Sequence, residues 1–454
     1  MIFEQHYLEC LSQASYLIGD EDTGRAVVVD PRRDVAPYLE SAAEHGLTIE
    51  MVIETHFHAD FLSGHLELAA ATGAEIAYGS RADAEFDIRK LEHGERIDLG
   101  SVELEIRHTP GHTPESISIV VHDGGEVPYG VLTGDTLFIG DVGRPDLLAS
   151  RGVTSDDLGS MLYDSLHEQL MTLPDATRVF PAHGAGSACG KNLSTETTST
   201  IGDQRATNYA VAPMSREEFV AVVTDGQSAP PAYFSFDANL NRENRPLLDE
   251  ELPPPAMSIE EIVRAQRQGA VVLDTRDPNE FAVGHLLGAI NVGLEGRYAE
   301  FAGGVIQPGA SIVLVTDAGM ETEAKNRLAR IGFDNVIGHL ADPLAAFMAN
   351  PDDVVGSSRL DVDALLRARA EGEVQLVDVR QPGETAIGTI EGAIEIPLTR
   401  LNERLASLDA AKPTVVYCAG GYRSSIAASR LVAAGFRDVS DLLGGYGAWV
   451  TAQG

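Results

Sequence analysis

Short apolar runs that end in a polar or charged residue recur through the first half of the chain. The run from Ala26 to Val29 is followed by Asp30, and the run from Met51 to Ile53 is followed by Glu54. Such runs are typical of buried strands in layered α/β folds, and a helical stretch at 37–45 lies between these two. The pattern predicts alternating strands and helices with polar residues at the strand ends, where open α/β layers build their sites.

The second half of the chain contains an internal repeat. VVLDTRDPNEFAVGHLLGAINV begins at Val271 and LVDVRQPGETAIGTIEGAIEIPL begins at Leu376, which places Asp274 and Asp378 at matching positions. Two strand–loop–helix units of about 100 residues indicate duplicated α/β domains. The preceding LPPPAM segment favours an extended spacer. We predict an N-terminal domain with the start of the linker, a proline-rich linker and two repeats, at 1–240, 241–256, 257–350 and 357–454.

Composition narrows the class of protein. The 454 residues are 44% hydrophobic and carry a net charge of −36, which fits a globular chain and excludes nucleic acid and anionic membranes as partners. No apolar run approaches the length of a membrane-spanning helix. Three distant cysteines do not suggest a disulfide framework, and Glu4 stands where a signal peptide would carry positive charge. We therefore expect a reduced, cytoplasmic protein.

Histidines and acids after the apolar runs form the main candidate site. THFHADFLSGH follows one run, and TPGHT, LTGDTLF and FPAHG follow others. Loops at strand ends converge at one edge of a layered fold, and imidazole with carboxylate suits iron, zinc or manganese. The candidate residues are His56, His58, Asp60, His65, His112, Asp135 and His183.

These motifs resemble the metallo-β-lactamase superfamily over about residues 1–215, which implies an αββα sandwich. Hydrolases of that superfamily carry H-x-H-x-D-H, in which the last histidine helps to hold a second metal. Here Phe61 occupies that position. A phenyl ring offers no lone pair, so this departure favours a single metal ion. His56, His112 and Asp135 would then form a two-histidine, one-carboxylate triad, an arrangement suited to Fe(II) and dioxygen.

The segment as a whole resembles the persulfide dioxygenases, through THFHADF, PGHTPES, GDTLFIGDVGRPD, PAHGAGSACGKN and IGDQRATNYA. The resemblance implies His56, His112 and Asp135 as ligands of one Fe(II) per chain, with O2 as co-substrate. It implies outer-shell or acid–base roles for the three remaining residues, which are His58, Asp60 and His183.

Three further residues are candidates for substrate binding. Arg144 matches an active-site arginine of that family by position, and Arg205 is suited to an anionic part of the thiol carrier, although either arginine is equally compatible with a surface ion pair. Cys189 suits sulfur relay or simple packing. Glutathione-using relatives commonly have an aromatic residue where Ala185 stands here. The carrier thiol therefore stays open between glutathione, coenzyme A and another small thiol.

VVYCAGGYRSS is the second candidate site. Cys418 ends an apolar run and opens a glycine-containing loop that leads into an alanine-rich stretch. The N–H groups of such a loop, with Arg423, favour a thiolate or a bound anion. The second repeat resembles the rhodanese sulfurtransferases, whose loop length it shares; related phosphatases have one residue more. The resemblance implies that Cys418 carries sulfane sulfur, stabilised by Arg423 and by the loop residues Ala419, Gly420, Gly421 and Tyr422.

The first repeat keeps the GHLLGA motif but has Thr316 and Asp317 where the cysteine would fall. Neither side chain can carry sulfane sulfur. We therefore expect an inactive rhodanese-like domain that serves as a spacer or an oligomer contact, within a homo-oligomer.

Together the resemblances imply a chain that oxidises a low-molecular-weight thiol persulfide to sulfite and transfers sulfane sulfur to sulfite, giving thiosulfate. Two other functions stay open. One is a zinc thioester hydrolase similar to glyoxalase II, carrying sulfurtransferase domains. The other is a non-catalytic sulfur-sensing scaffold whose rhodanese-like units bind partners.

Overall fold

The computed structural model describes residues 1–147, 153–227 and 230–453. Gly454, the last residue of the second predicted repeat, lies outside them. The chain divides into an N-terminal unit, Met1–Leu248, and a C-terminal unit, Asp249–Gly454. Within the described residues, no helix is both long and apolar enough to cross a membrane.

The N-terminal unit is built on two six-stranded sheets, in the orders β1-β2-β3-β4-β5-β6 and β12-β11-β10-β9-β8-β7. Its strands are Ile2–Leu8 (β1), Gln13–Asp20 (β2), Arg25–Val29 (β3), Thr48–Ile53 (β4), Glu75–Gly79 (β5), Arg89–Leu91 (β6), Arg96–Asp98 (β7), Glu103–His108 (β8), Ile117–His122 (β9), Gly130–Gly134 (β10), Arg178–Pro181 (β11) and Ser199–Thr200 (β12). Its helices are Ala36–Glu44 (α1), His65–Thr72 (α2), Ser155–Asp164 (α3), Ile201–Thr207 (α4), Arg216–Thr224 (α5) and Phe234–Leu240 (α6).

The apolar runs are continuous because neighbouring residues of one strand are buried on opposite faces of the sheet. Val27 and Val29 of β3 face the other sheet in the central core, whereas Ala26 and Val28 pack beneath the helices α1 and α2. The outer face of the second sheet is covered by α3 and α5. Both faces of each sheet are therefore buried, which selects apolar residues at every position. The predicted αββα sandwich is confirmed.

The C-terminal unit contains two five-stranded parallel sheets of equivalent topology, β13-β18-β17-β14-β16 and β20-β24-β23-β21-β22. Its strands are Ala256–Met257 (β13), Val271–Asp274 (β14), His285–Leu286 (β15), Ile290–Asn291 (β16), Ile312–Val315 (β17), Val336–Leu340 (β18), Val354–Val355 (β19), Ser358–Leu360 (β20), Gln375–Asp378 (β21), Ile394–Glu395 (β22), Thr414–Tyr417 (β23) and Val439–Leu442 (β24). Its helices are Ile259–Arg267 (α7), Pro278–Val283 (α8), Tyr298–Val305 (α9), Glu321–Ala329 (α10), Pro343–Ala349 (α11), Val362–Glu371 (α12), Pro382–Thr385 (α13), Leu401–Arg404 (α14), Tyr422–Ala433 (α15) and Gly445–Gln453 (α16).

The two repeats share an ion pair at the same strand end. Arg276 donates from Nε to Asp274 at 3.0 Å, and Arg380 donates from Nε to Asp378 at 3.0 Å. All four residues are buried. The repeated D-x-R motif therefore marks a buried arginine that caps the end of β14 in the first repeat and of β21 in the second.

Candidate metal centre and sulfur-transfer loop

The loops after four strands bring the predicted ligands together. His56 follows β4, His112 follows β8, Asp135 follows β10 and His183 follows β11. All four side chains are buried. The strand-end pattern in the sequence therefore corresponds to one cluster at one edge of the sandwich.

His56, His112 and Asp135 offer ligand atoms that all lie within 4.8 Å of one another. Oδ2 of Asp135 is 3.8 Å from Nε2 of His56 and 3.5 Å from Nε2 of His112. This oxygen is buried and has no hydrogen-bond partner among the described residues. An orphaned carboxylate oxygen between two imidazole nitrogens is costly unless a cation occupies the space. The three residues therefore fit a metal ion.

Neighbouring groups orient both imidazoles toward that space. Nδ1 of His112 lies 2.9 Å from the Arg144 carbonyl, and Nδ1 of His56 lies 3.0 Å from the Thr55 hydroxyl. Each contact leaves Nε2 for the metal. The Arg144 segment can approach because Gly143 precedes it: a Cβ there would lie 1.9 Å from the Asp135 carbonyl oxygen.

Electrostatics prepares these side chains as ligands. Burial, with the neighbouring His58, lowers the pKa of His56 well below its ordinary value, and burial also lowers the pKa of His112. Both imidazoles are therefore held neutral, the form that binds a metal. Burial opposes ionisation of Asp135, but the positive charge of His183 outweighs it and lowers the pKa of that carboxyl.

His183 lies between two carboxylates. Its Nδ1 is 2.7 Å from Oδ1 of Asp135, and its Nε2 is 2.8 Å from Oδ2 of Asp60. Burial disfavours the charged imidazole, but Asp135 and Asp60 outweigh it and raise the pKa of His183 well above its ordinary value. The arrangement therefore favours a protonated His183 in contact with the Asp135 carboxylate.

Phe61 is buried beside this site. The centre of its ring is 4.3 Å from the centre of the His58 ring and 6.3 Å from that of His183. The phenyl group therefore lies among the residues that the H-x-H-x-D-H pattern uses for a second metal.

His58 joins a second buried cluster that the sequence analysis did not assemble. Its Nε2 is 3.1 Å from Asp30 and 3.5 Å from Glu54. Asp30 has a φ of 51° and accepts hydrogen bonds from the Thr55 amide and hydroxyl. Burial first, and then the charge of Asp30, raises the pKa of Glu54 well above its ordinary value. Both acids end apolar strands, the same signal that identified the other site residues.

The predicted substrate-binding residues have different surroundings. The Arg144 guanidinium is buried and makes two hydrogen bonds to Asp146, at 2.7 and 2.8 Å. Arg205 is exposed and binds the Met171 and Leu173 carbonyls and the Asp175 carboxylate. The structure therefore holds both guanidinium groups in contacts with neighbouring protein groups.

Cys189 is buried and lies with Asp60 and His183 in a cluster whose ligand atoms are all within 4.8 Å of one another. Burial, and then the charges of Asp60 and Asp135, raise the pKa of Cys189 well above its ordinary value. The side chain is therefore held as a neutral thiol beside the metal cluster.

Asn241 is a site residue that the sequence analysis missed. It lies just after α6, fully buried, and its Nδ2 donates to the carbonyls of His58 and Phe61 at 2.8 and 2.9 Å. Its Oδ1 accepts from the Ser63 amide at 2.9 Å. One side chain thus binds at three points to the loop at 54–64, between β4 and α2, which carries His56 and is called the metal loop below. No local sequence pattern signals a contact across this separation in the chain.

In the second repeat, Cys418 follows β23 and is buried, whereas Ala419 and Gly420 are exposed. The amide of Gly421, which has a φ of 111°, donates to Sγ of Cys418 at 3.1 Å, and Ser424 lies 3.6 Å from the same sulfur. The loop therefore presents an N–H donor to the thiol at the start of α15.

Arg423 lies in the first turn of α15 and pairs with Glu384, at 2.6 and 2.7 Å. This hydrogen bond to Glu384, despite burial, raises the pKa of Arg423. In the first repeat, Thr316 follows β17 at the equivalent place, and its buried hydroxyl has no hydrogen-bond partner among the described residues.

Comparison with known proteins agrees with this architecture. The model of the metallo-beta-lactamase superfamily matches residues 8–183, and the model of the rhodanese-like domain matches residues 258–349 and 361–452. A crystal structure of a metallo-beta-lactamase from Staphylococcus aureus is 34% identical, with a TM-score of 0.67, over 74% of this chain and 98% of that one.

Two of the curated relatives have the names of different enzymes. Persulfide dioxygenase ETHE1 from Homo sapiens is 31% identical over 50% of this chain and 82% of its own length. A hydroxyacylglutathione hydrolase from Synechococcus is 33% identical, over 37% of this chain and 62% of its own length. Because the match to the dioxygenase spans most of that protein and two rhodanese-like domains follow, the chain belongs to the persulfide dioxygenases of the metallo-β-lactamase superfamily, in the form fused to a rhodanese repeat.

Proposed function

We propose that the N-terminal unit oxidises a low-molecular-weight thiol persulfide with O2, using one Fe(II) per chain. In the proposed reaction, R–S–SH, O2 and H2O give R–SH, sulfite and two protons. The observation that carries the proposal is the buried cluster of His56, His112 and Asp135, in which one Asp135 oxygen has no hydrogen-bond partner among the described residues. Phe61 stands where a second metal would need an imidazole. A triad of this type leaves coordination positions for two reactants.

Fe(II), when bound to this triad, would supply redox chemistry and a binding position for O2. The surrounding residues would control protons and water. His183 holds a proton between Asp60 and Asp135, and this proton would reach a developing thiolate through the Asp60 carboxylate. Phe61 is buried beside His58, and its ring offers no group that could bind a water molecule or a second metal there.

We further propose that Cys418 accepts sulfane sulfur from a second persulfide. Its thiolate attacks the terminal sulfur of R–S–SH, R–SH leaves with the proton, and a Cys418 persulfide remains. Sulfite then attacks the outer sulfur, giving thiosulfate and restoring the Cys418 thiolate. The Gly421 amide, 3.1 Å from Sγ, supports the proposal because it would stabilise the thiolate that leaves. Sulfite is the product of the first reaction, which gives the fusion its chemical logic.

The test begins with anaerobic purification and metal analysis, followed by O2 uptake with persulfides of glutathione, coenzyme A and other small thiols. We expect about one iron per chain and O2 uptake with at least one persulfide. His112→Ala should abolish O2 uptake and spare sulfur transfer, whereas Cys418→Ser should abolish thiosulfate formation and largely keep O2 uptake. Loss of both activities in both variants would contradict two separate sites.

The similarity to hydroxyacylglutathione hydrolases makes zinc-dependent thioester hydrolysis the second candidate. About two zinc ions per chain, thioester turnover and no O2 uptake would establish it in place of the oxygenase. Unchanged sulfur turnover in Cys418→Ser would instead favour a scaffold role for the repeats.

A further inference from the structure

The loop that carries Cys418 contacts the first repeat, although that repeat has no sulfur-carrying residue of its own. Tyr422, the fifth residue of the loop, donates from its hydroxyl to the Gly293 carbonyl at 2.6 Å and lies 3.2 Å from the Glu295 carbonyl. Its ring packs against Phe301, with 5.5 Å between ring centres. A Cβ at Gly293 would come within 3.3 Å of the Tyr422 ring, so this close approach suits glycine. The end of the catalytic loop is thus attached to the other repeat.

The helix that follows the loop is attached in the same way. Ser425 donates to Oδ1 of Asn291 at 2.8 Å, and Ser429 accepts from the Asn291 amide at 2.9 Å. All three residues are buried. Asn291 in turn donates to the Asp274 and Arg276 carbonyls at 3.1 and 3.0 Å. The first turns of α15 therefore pack against the strand ends of the first repeat's sheet as well as against their own repeat.

A third connection leads from the surface of the first repeat to the sulfur. Exposed Asn279 accepts from Arg359 at 2.6 Å, and Arg359 pairs with Asp441 at 2.9 Å. Asp441 lies 3.5 Å from the Ser424 hydroxyl, which lies 3.6 Å from Sγ of Cys418. Three separate connections therefore join the first repeat to the Cys418 loop and its helix.

We propose that the first repeat is the positioning half of the sulfurtransferase site, with Tyr422 as its main positioning residue. The inference rests on the proposed sulfur transfer at Cys418 and gives the cysteine-free repeat a task in it. A loop with two consecutive glycines has many accessible conformations, and only some of them direct the Gly421 amide at the sulfur. Fixing the end of the loop to the first repeat removes the other conformations before substrate binds, so the N–H donor is preorganised.

Tyr422→Phe tests the proposal, because it removes the hydroxyl and keeps the ring. Tyr298→Phe is the matched control: Tyr298 is a buried neighbour whose hydroxyl has no hydrogen-bond partner within the described part of the chain. We expect Tyr422→Phe to lower kcat for transfer from a small-thiol persulfide to sulfite by about tenfold, which corresponds to the loss of about one hydrogen bond, with KM nearly unchanged. We expect the control to stay within about twofold of the wild type.

Two further measurements keep the result interpretable. Iodoacetamide alkylation of Cys418, resolved by peptide mass spectrometry, should slow in Tyr422→Phe, because an unpositioned loop stabilises less thiolate. Asn279→Ala, at an exposed position, should lower kcat by about threefold. Its matched control is Asn335→Ala, since the side chain of exposed Asn335 donates to Ser311 of its own repeat.

The outcomes separate the two proposals. A wild type that transfers no sulfur overturns the proposed function, while the alkylation comparison still decides whether Tyr422 positions the loop. A lower melting temperature in Tyr422→Phe with wild-type kcat and alkylation would make the contact purely structural and overturn the inference. Equal effects of Asn279→Ala and Asn335→Ala would overturn the third connection.

Discussion

Asn241→Ala should weaken metal binding, although Asn241 is not a ligand. The side chain makes three hydrogen bonds to the metal loop, two through Nδ2 and one through Oδ1. At about 1 kcal/mol net for each, the three bonds are worth about 3 kcal/mol. Two bonds hold carbonyls within the loop that begins at His56, so their loss lets that loop take conformations that do not bind metal.

The fraction of this free energy that supports metal binding sets how far the substitution raises Kd. Since 1.4 kcal/mol corresponds to tenfold in affinity, the full loss of about 3 kcal/mol would raise Kd by about a hundredfold. We therefore expect the Kd of Fe(II) or Co(II) to rise between about tenfold and a hundredfold, measured anaerobically by competition with a coloured chelator.

Asn244→Ala is the control, because Asn244 is exposed and its contact to Glu85 comes from its backbone amide. Its metal affinity and unfolding free energy should match the wild type. If Asn241→Ala lost about 3 kcal/mol of stability but kept the wild-type Kd, the three bonds would act on folding alone and the reasoning would be refuted.

Three further predictions follow from buried groups. Glu67→Gln should lower the urea-unfolding free energy of the N-terminal unit by about 3 kcal/mol, because it unpairs buried Arg33 and Arg245; a change under about 1 kcal/mol would contradict this. Gly143→Ala should reduce bound metal per chain in elemental analysis, since the new Cβ would meet the Asp135 carbonyl oxygen at 1.9 Å; full occupancy would argue against it. Burial lowers the pKa of His285 to about 4, so the unfolded chain binds the extra proton first as pH falls below about 6.5. The wild type should therefore lose about 3 kcal/mol more stability than His285→Gln between about pH 6.5 and pH 4, and parallel urea-unfolding curves would exclude this.

Much of the fold was predictable because buried strands show a local pattern of apolar residues in the sequence. β3 is covered on both faces, so each of its central positions is apolar, and the polar residue that follows marks the strand end. The candidate metal residues carry that signal, and the structure brings three of them, His56, His112 and Asp135, close together. Asp30 and Glu54 show the same signal, and only the structure revealed that they surround His58.

The partners of the arginine side chains show no such pattern in the sequence. Arg205 fits an anion site by residue type, yet in the structure it binds two carbonyls and Asp175. Arg423 stands beside Cys418 in sequence, and its guanidinium pairs with Glu384. An arginine can extend in many directions, so the identity of its partner depends on which surfaces packing brings near it.

The sequence by itself determined the strands, the duplication, the candidate ligand residues and the candidate sulfur-carrying cysteine, because periodicity and residue chemistry are local properties. The tertiary structure alone decided that Asn241 secures the metal loop and that the first repeat contacts Tyr422. These contacts join residues far apart in the chain, and the polar side chains that make them resemble ordinary surface residues until folding buries them.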